Sequence, residues 1–189
     1  MTFDSLGNLY GTTYEGGGEK SEGGGTVYKL SPGSSGWTET VVDHFLPTGQ
    51  YGVAPLGEVS FDPHGNLYST TSLGALGVGT VLEISVNGQS RIFSFDRVDG
   101  AVPAAGVLVD ARTKTLYGTT TGNIYNHGNV FRIAASGQET VLYDFCQQPN
   151  CTDGSAPFSG LISDEAGNLY GTTEFGGANG LGVVFEVTP

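Results

Sequence analysis

Apolar positions along this chain follow no helical 3.6-residue period; they fall in short runs separated by turn-forming residues. Residues 160–164 (G-L-I-S-D) form one such run, and Glu165-Ala166-Gly167 a turn after it. Residues 168–173 (N-L-Y-G-T-T) are rich in β-formers, 175–182 make a glycine-rich loop, and 183–187 (V-V-F-E-V) read as another strand. Complete copies of the unit add a turn and a fourth strand, as at Gly137-Gln138 followed by residues 139–145. The pattern predicts an antiparallel sheet of four short strands. Its third strand recurs at 25–30, 79–84, 128–133 and 182–187, with apolar residues on both faces, so both faces must be covered.

The unit occurs four times. Its most regular part reads F-D-S-L-G-N-L-Y-G-T-T at 3–13, F-D-P-H-G-N-L-Y-S-T-T at 61–71, V-D-A-R-T-K-T-L-Y-G-T-T at 109–120 and S-D-E-A-G-N-L-Y-G-T-T at 163–173. The tyrosines Tyr10, Tyr68, Tyr117 and Tyr170 are 58, 49 and 53 residues apart. Four-stranded sheets repeated at that period predict an all-β fold, a β-propeller. Its blades run over residues 1–56, 57–105, 106–159 and a truncated 160–189. The expectation is an arc of a larger ring, with the first blade short of most of its innermost strand and the last lacking its outermost. Both ends fall inside a repeat, which suggests a piece of a longer protein.

Each repeated residue type carries an expectation. Asp4, Asp62, Asp110 and Asp164 precede turns in which a carboxylate accepts backbone N–H bonds. Gly11, Gly118 and Gly171 lie inside strands, where glycine allows close approach of another backbone; Ser69 stands at that place in the second copy. The prolines of G-V-A-P, G-A-V-P and G-S-A-P, ending at Pro55, Pro103 and Pro157, should block ladder pairing and mark crossings between blades. Lys29, Glu83, Arg132 and Glu186 occupy one repeated position and read as solvated strand ends.

Composition changes this picture modestly. The 189 residues carry a formal charge of −12, which disfavours nucleic acid and anionic lipid as partners. No apolar run is long enough to span a membrane as a helix.

The ordered motifs G-N-L-Y-G-T-T, G-G-x-x-x-x-G-x-V-F-x-V, x-V-L-Y-D-F and D-G-x-x-P-x-x-G-L resemble the GloVer tandem repeat of bacterial choice-of-anchor proteins. That resemblance covers nearly the whole chain. It implies an exported, propeller-like surface module, and no reaction or catalytic residues.

Candidate chemistry is sparse. Loops joining second to third strands, and fourth strands to the next blade, share one face of a propeller. Glu15, Glu19, Glu22, Asp96, Asp99, Asp153 and Glu174 gather in those loops. Such a face suits a protein or a hydroxyl-rich ligand such as a glycan. No D-x-D-x-D-G loop supports calcium, and no motif calls for a cofactor. Cys146 and Cys151, separated by four residues in a polar loop, are expected to form a disulfide, which fits export. His44, His64 and His127 are dispersed, and Trp37 reads as packing. Nothing marks a catalytic site. The leading expectation is a non-catalytic binding module; an enzyme acting on polysaccharide and a structural spacer are the alternatives. Open propeller ends predict self-association.

Overall fold

In each copy the chain runs up and down through antiparallel strands and then crosses to the next copy. The computed structural model describes residues 1–17, 23–46, 52–74, 77–88, 90–96, 100–122 and 127–189. Blade 1 comprises β1 (Thr2–Phe3), β2 (Leu9–Thr13), β3 (Thr26–Gly33) and β4 (Gly36–His44). In blade 2, β5 (Val53–Pro55) and β6 (Ser60–Phe61) share the inner edge of β7 (Leu67–Leu73), followed by β8 (Thr80–Ile84) and β9 (Ser90–Ser94). Blade 3 is β10 (Leu108–Asp110), β11 (Thr115–Thr120), β12 (Asn129–Ile133) and β13 (Glu139–Asp144). A 3-10 turn, Pro149–Cys151, leads to blade 4: β14 (Ile162–Ser163), β15 (Leu169–Thr172) and β16 (Val184–Val187). The fold is all-β, a β-propeller, and the fourth sheet has three strands as its sequence suggested.

The innermost strand of blade 1 pairs over two residues, but so do β6 and β14. β10 pairs over three, so a short inner strand is not peculiar to the first blade. Nor does proline always interrupt pairing at the crossing. Pro55 ends β5 and stands opposite Thr71, on a sheet edge where its missing N–H is not needed.

The core lies between blades. One apolar cluster joins blades 1 and 2 around Val27, Phe45, Leu67 and Leu82. A second joins blades 2 and 3 around Tyr68, Phe95, Leu116 and Phe131. A third joins blades 3 and 4 around Val130, Phe145, Leu161 and Leu169. Phe45, Phe95 and Phe145, which directly follow the outer strands in H-F, S-F and D-F, are almost wholly buried. Phe95 meets Phe131 of the next blade edge-on at 4.9 Å, and Phe145 meets Phe185 likewise at 4.9 Å. Among the described residues no such cluster joins blade 4 to blade 1, so the blades form an open arc.

The glycines inside the second strands have a different role from the one expected. A Cβ on Gly11, Gly118 or Gly171 would collide with the ring of Tyr28, Phe131 or Phe185, the residue directly opposite on the third strand. Glycine makes room for a side chain there, not for a backbone. Blade 2 has Ser69 because the opposite residue is Leu82, which is smaller than a ring.

Candidate functional site

Two hydroxyls in the L-Y-x-T-T stretch of each of the first three copies fix the blades. The first threonine reaches forward to the next blade: Thr12 Oγ1 donates to the Gly57 carbonyl at 3.4 Å, Thr70 to Ala105 at 2.9 Å and Thr119 to Ser159 at 2.9 Å. Each acceptor lies two residues after the crossing proline. The second threonine closes its own blade. Thr13 bonds Thr26 at 2.9 Å, Thr71 bonds Thr80 at 2.8 Å, and Thr120 bonds Asn129 at 2.9 Å.

The repeated aspartates hold turns. Asp4, Asp62 and Asp164 each accept the backbone N–H and the side-chain amide of the asparagine four residues on. Tyr170 adds its hydroxyl to Asp164 at 3.0 Å and Tyr68 approaches Asp62 at 3.4 Å. Burial works against the Asp4 and Asp62 carboxylates, but the hydrogen bonds outweigh it and hold their pKa below the usual aspartate value. The Asn168 amide lowers Asp164, and the Thr113 hydroxyl lowers Asp110. Burial, then the charges of Glu83 and Asp62, push the Tyr68 phenol far above its ordinary value. The repeated acids therefore serve the scaffold.

The loop face has a regular frame. Gly25, Gly79 and Gly128 take left-handed φ values of +103°, +99° and +87°, and each is packed so closely by Pro55, Pro103 or Pro157 that a Cβ would strike the ring. The residues just before those prolines, Ala54, Val102 and Ala156, are themselves left-handed, with φ of 59°, 56° and 53°. Their N–H groups donate to the carbonyls of Gly24, Val78 and His127, all at 2.7–2.8 Å. Every crossing is thus pinned to the second-to-third-strand loop of the preceding blade.

On that frame Glu15, Asp96 and Glu174 are exposed and Asp153 half-buried; Glu19, Glu22 and Asp99 lie outside the described residues. Asp153 points inward. It accepts from the Tyr143 hydroxyl at 2.7 Å and from the N–H groups of Gln147 and Gln148 at 2.9 and 3.2 Å. Burial opposes the charge, yet those bonds lower its pKa, while burial and the bond to Asp153 push Tyr143 up to about 12. The structure does not gather the described acids into one cluster. Among the described residues the one group of metal-type ligand atoms is His127, Cys146 and Cys151, within 4.8 Å of one another. The two cysteines are joined in a disulfide and offer no thiolate, and His127 lies 3.2 Å from the Ser155 hydroxyl.

His44 bonds the Gly17 carbonyl at 2.6 Å, and the backbone of His64 donates to Asp62 at 2.9 Å. Trp37 is 55% exposed on the outer strand of blade 1, so packing does not account for it. Lys29, Glu83 and Arg132 are half-buried opposite Tyr10, Tyr68 and Tyr117, and only Glu186, opposite Tyr170, is the solvated residue the sequence suggested for all four.

A family model, the Gloeobacter/Verrucomicrobia repeat, matches residues 1–189, the whole stretch that carries these ties. The chain belongs to the Gloeobacter/Verrucomicrobia repeat family. No curated protein matches it. The repeat is similar in fold to an X-ray structure of a protein provisionally named a gluconolactonase, with a TM-score of 0.56 and 16% identity. The alignment covers 99% of this chain and 62% of that one. At that identity the likeness concerns the fold alone. Within this chain the repeated aspartates hold turns, the paired threonines of the first three copies tie strands and blades, and Gly11, Gly118 and Gly171 make room for the ring opposite.

Proposed function

We propose that this chain is a non-catalytic, exported or cell-surface repeat module that binds a protein or glycan through the loops on one propeller face. One observation carries the reading. The polar residues that recur from copy to copy are engaged within the scaffold, while residues that differ between copies stand on the loop face, held by the proline and glycine frame. A rigid frame bearing variable polar loops is how scaffolds recognise ligands. The disulfide supports export, since such bonds persist in oxidising compartments. No helix among the described residues is long and apolar enough to cross a membrane.

A glycan array probed with the chain, with lactone and polysaccharide turnover assayed in parallel, tests this. Binding without turnover, weakened by alanine at Glu15 and Glu174, is the expected result. Turnover would favour the second reading, an enzyme acting on carbohydrate, for which the name of the structural neighbour is the support. Neither binding nor turnover would leave a spacer.

A further inference from the structure

One crossing between blades departs from the other two. His127 precedes Gly128 as Gly24 and Val78 precede Gly25 and Gly79, and Ser155 precedes Ala156 as Val53 and Ala101 precede Ala54 and Val102. In blade 1 a Cβ on Gly24 would strike Val53, and Val78 and Ala101 lie in one apolar cluster. Of these three crossings only the third puts an imidazole and a hydroxyl at this place, 3.2 Å apart. The same crossing holds both of the chain's cysteines. It is also the longest, running from Phe145 to Pro157 where the others span 45–55 and 95–103.

These departures converge. The ligand atoms of His127, Cys146 and Cys151 lie within 4.8 Å of one another. The cysteines are half-buried and His127 is exposed, so solvent reaches the group. Ties other than the disulfide hold all three residues. The Cys146 N–H donates to the Gly154 carbonyl at 3.0 Å and the Cys151 N–H to Gln148 at 3.0 Å. The Cys151 carbonyl accepts from Gly154 and Gly177 at 2.9 and 3.0 Å, and the His127 carbonyl from Ala156 at 2.8 Å. Between the cysteines, Asp153 accepts from the N–H groups of Gln147 and Gln148. Opening the S–S bond therefore leaves two thiols and an imidazole side by side on a loop that is still fixed.

We propose that in the reduced state His127, Cys146 and Cys151 bind one divalent thiophilic cation of the zinc class, a role beyond the loop-face recognition described above. Two thiolates and an imidazole are ligands that such an ion takes, with a fourth position left to water. The Ser155 hydroxyl beside Nδ1 fixes the ring, as the outer partner of a metal-bound histidine does. The formal charge of −12 draws cations toward the chain. The disulfide takes two electrons and two protons from a dithiol, which is itself oxidised to a disulfide. Each cysteine thiol then releases its proton to solvent as its sulfur bonds the metal. In the oxidised chain the sulfurs are bonded to each other, so the site opens only on reduction.

The test titrates the full chain with Co2+ and then Zn2+ under argon, after reduction with a phosphine, which opens the disulfide without supplying thiolates of its own. The expected result is a thiolate-to-cobalt charge-transfer band with the visible bands of tetrahedral cobalt, saturating at one ion per chain and bleached by Zn2+. The unreduced chain and the Cys146→Ser, Cys151→Ser double variant should show no band. His127→Val installs the residue that blade 2 carries at that place, so it keeps the fold, and it should weaken cobalt binding by at least about tenfold. No band in the reduced chain, a band in the unreduced chain, saturation at one ion per two chains, or unchanged affinity in His127→Val would each overturn the proposal.

Discussion

Single residues in this protein are chosen by what stands across the sheet. Glycine faces an aromatic ring in blades 1, 3 and 4, and serine faces leucine in blade 2. Gly118→Ala should destabilise the chain by about 1–3 kcal/mol in urea melts, through overpacking against Phe131. Phe131→Leu in the same chain should recover part of that loss, because it reproduces the space found beside Ser69. An unchanged midpoint for the single variant would contradict the steric account. Ser69 itself is wholly buried, and its Oγ finds no partner. Ser69→Ala should therefore raise stability by roughly 1 kcal/mol. The covariation was legible: the one copy without glycine is also the one without a ring at the matching third-strand position. Assigning it needed the strand register, which spacing alone leaves open by a residue either way.

Elements are held by turns whose carboxylates are stabilised in the charged form. Asp4, Asp62, Asp110, Asp153 and Asp164 all have folded pKa values below the unfolded aspartate value of 3.8. Their contribution is present above that value and is lost as pH falls through the depressed folded values. Tyr68 and Tyr143 are raised above 10.0, so their contribution holds below 10 and fades as pH rises beyond it. Thermal melts across pH should show a broad plateau with a fall below about pH 4 and another above about pH 10. A melting temperature that climbs on acidification below pH 4 would contradict this. The loop after β13 is tied both by Asp153 and by the Cys146–Cys151 disulfide. Replacing both cysteines with serine should cost roughly 2 kcal/mol in denaturant melts, and full retention of stability would show that Asp153 holds the loop unaided. The turn aspartates and the disulfide were visible in the sequence. The inward aim of Asp153 was not, since an acidic residue in a polar loop looks the same whether it faces solvent or its own backbone.

The molecule as a whole is a row of sheets whose ends differ from its middle. Val184 is 80% exposed, Ile162 70% and Leu181 86%, all on the blade 4 side of the arc. The outer edge of β16 has no neighbouring strand in its sheet. Sedimentation should show concentration-dependent self-association, and Val184→Lys should reduce it; a monodisperse monomer at all concentrations would mean the open face is tolerated. The propeller was readable because a period near 50 residues, four strands per period and two-faced apolar strands admit few other architectures. Which side chains meet between neighbouring blades was not readable, because the spacing within a repeat leaves open how one sheet packs on the next.

The forward reach of Thr12, Thr70 and Thr119 carries one more implication. These bonds each join one copy to its neighbour, so cohesion among the described residues is a relay of local handshakes. Melting should then begin at an outermost panel and travel inward, and a duplicated middle panel spliced into the row should lengthen it without disturbing its neighbours.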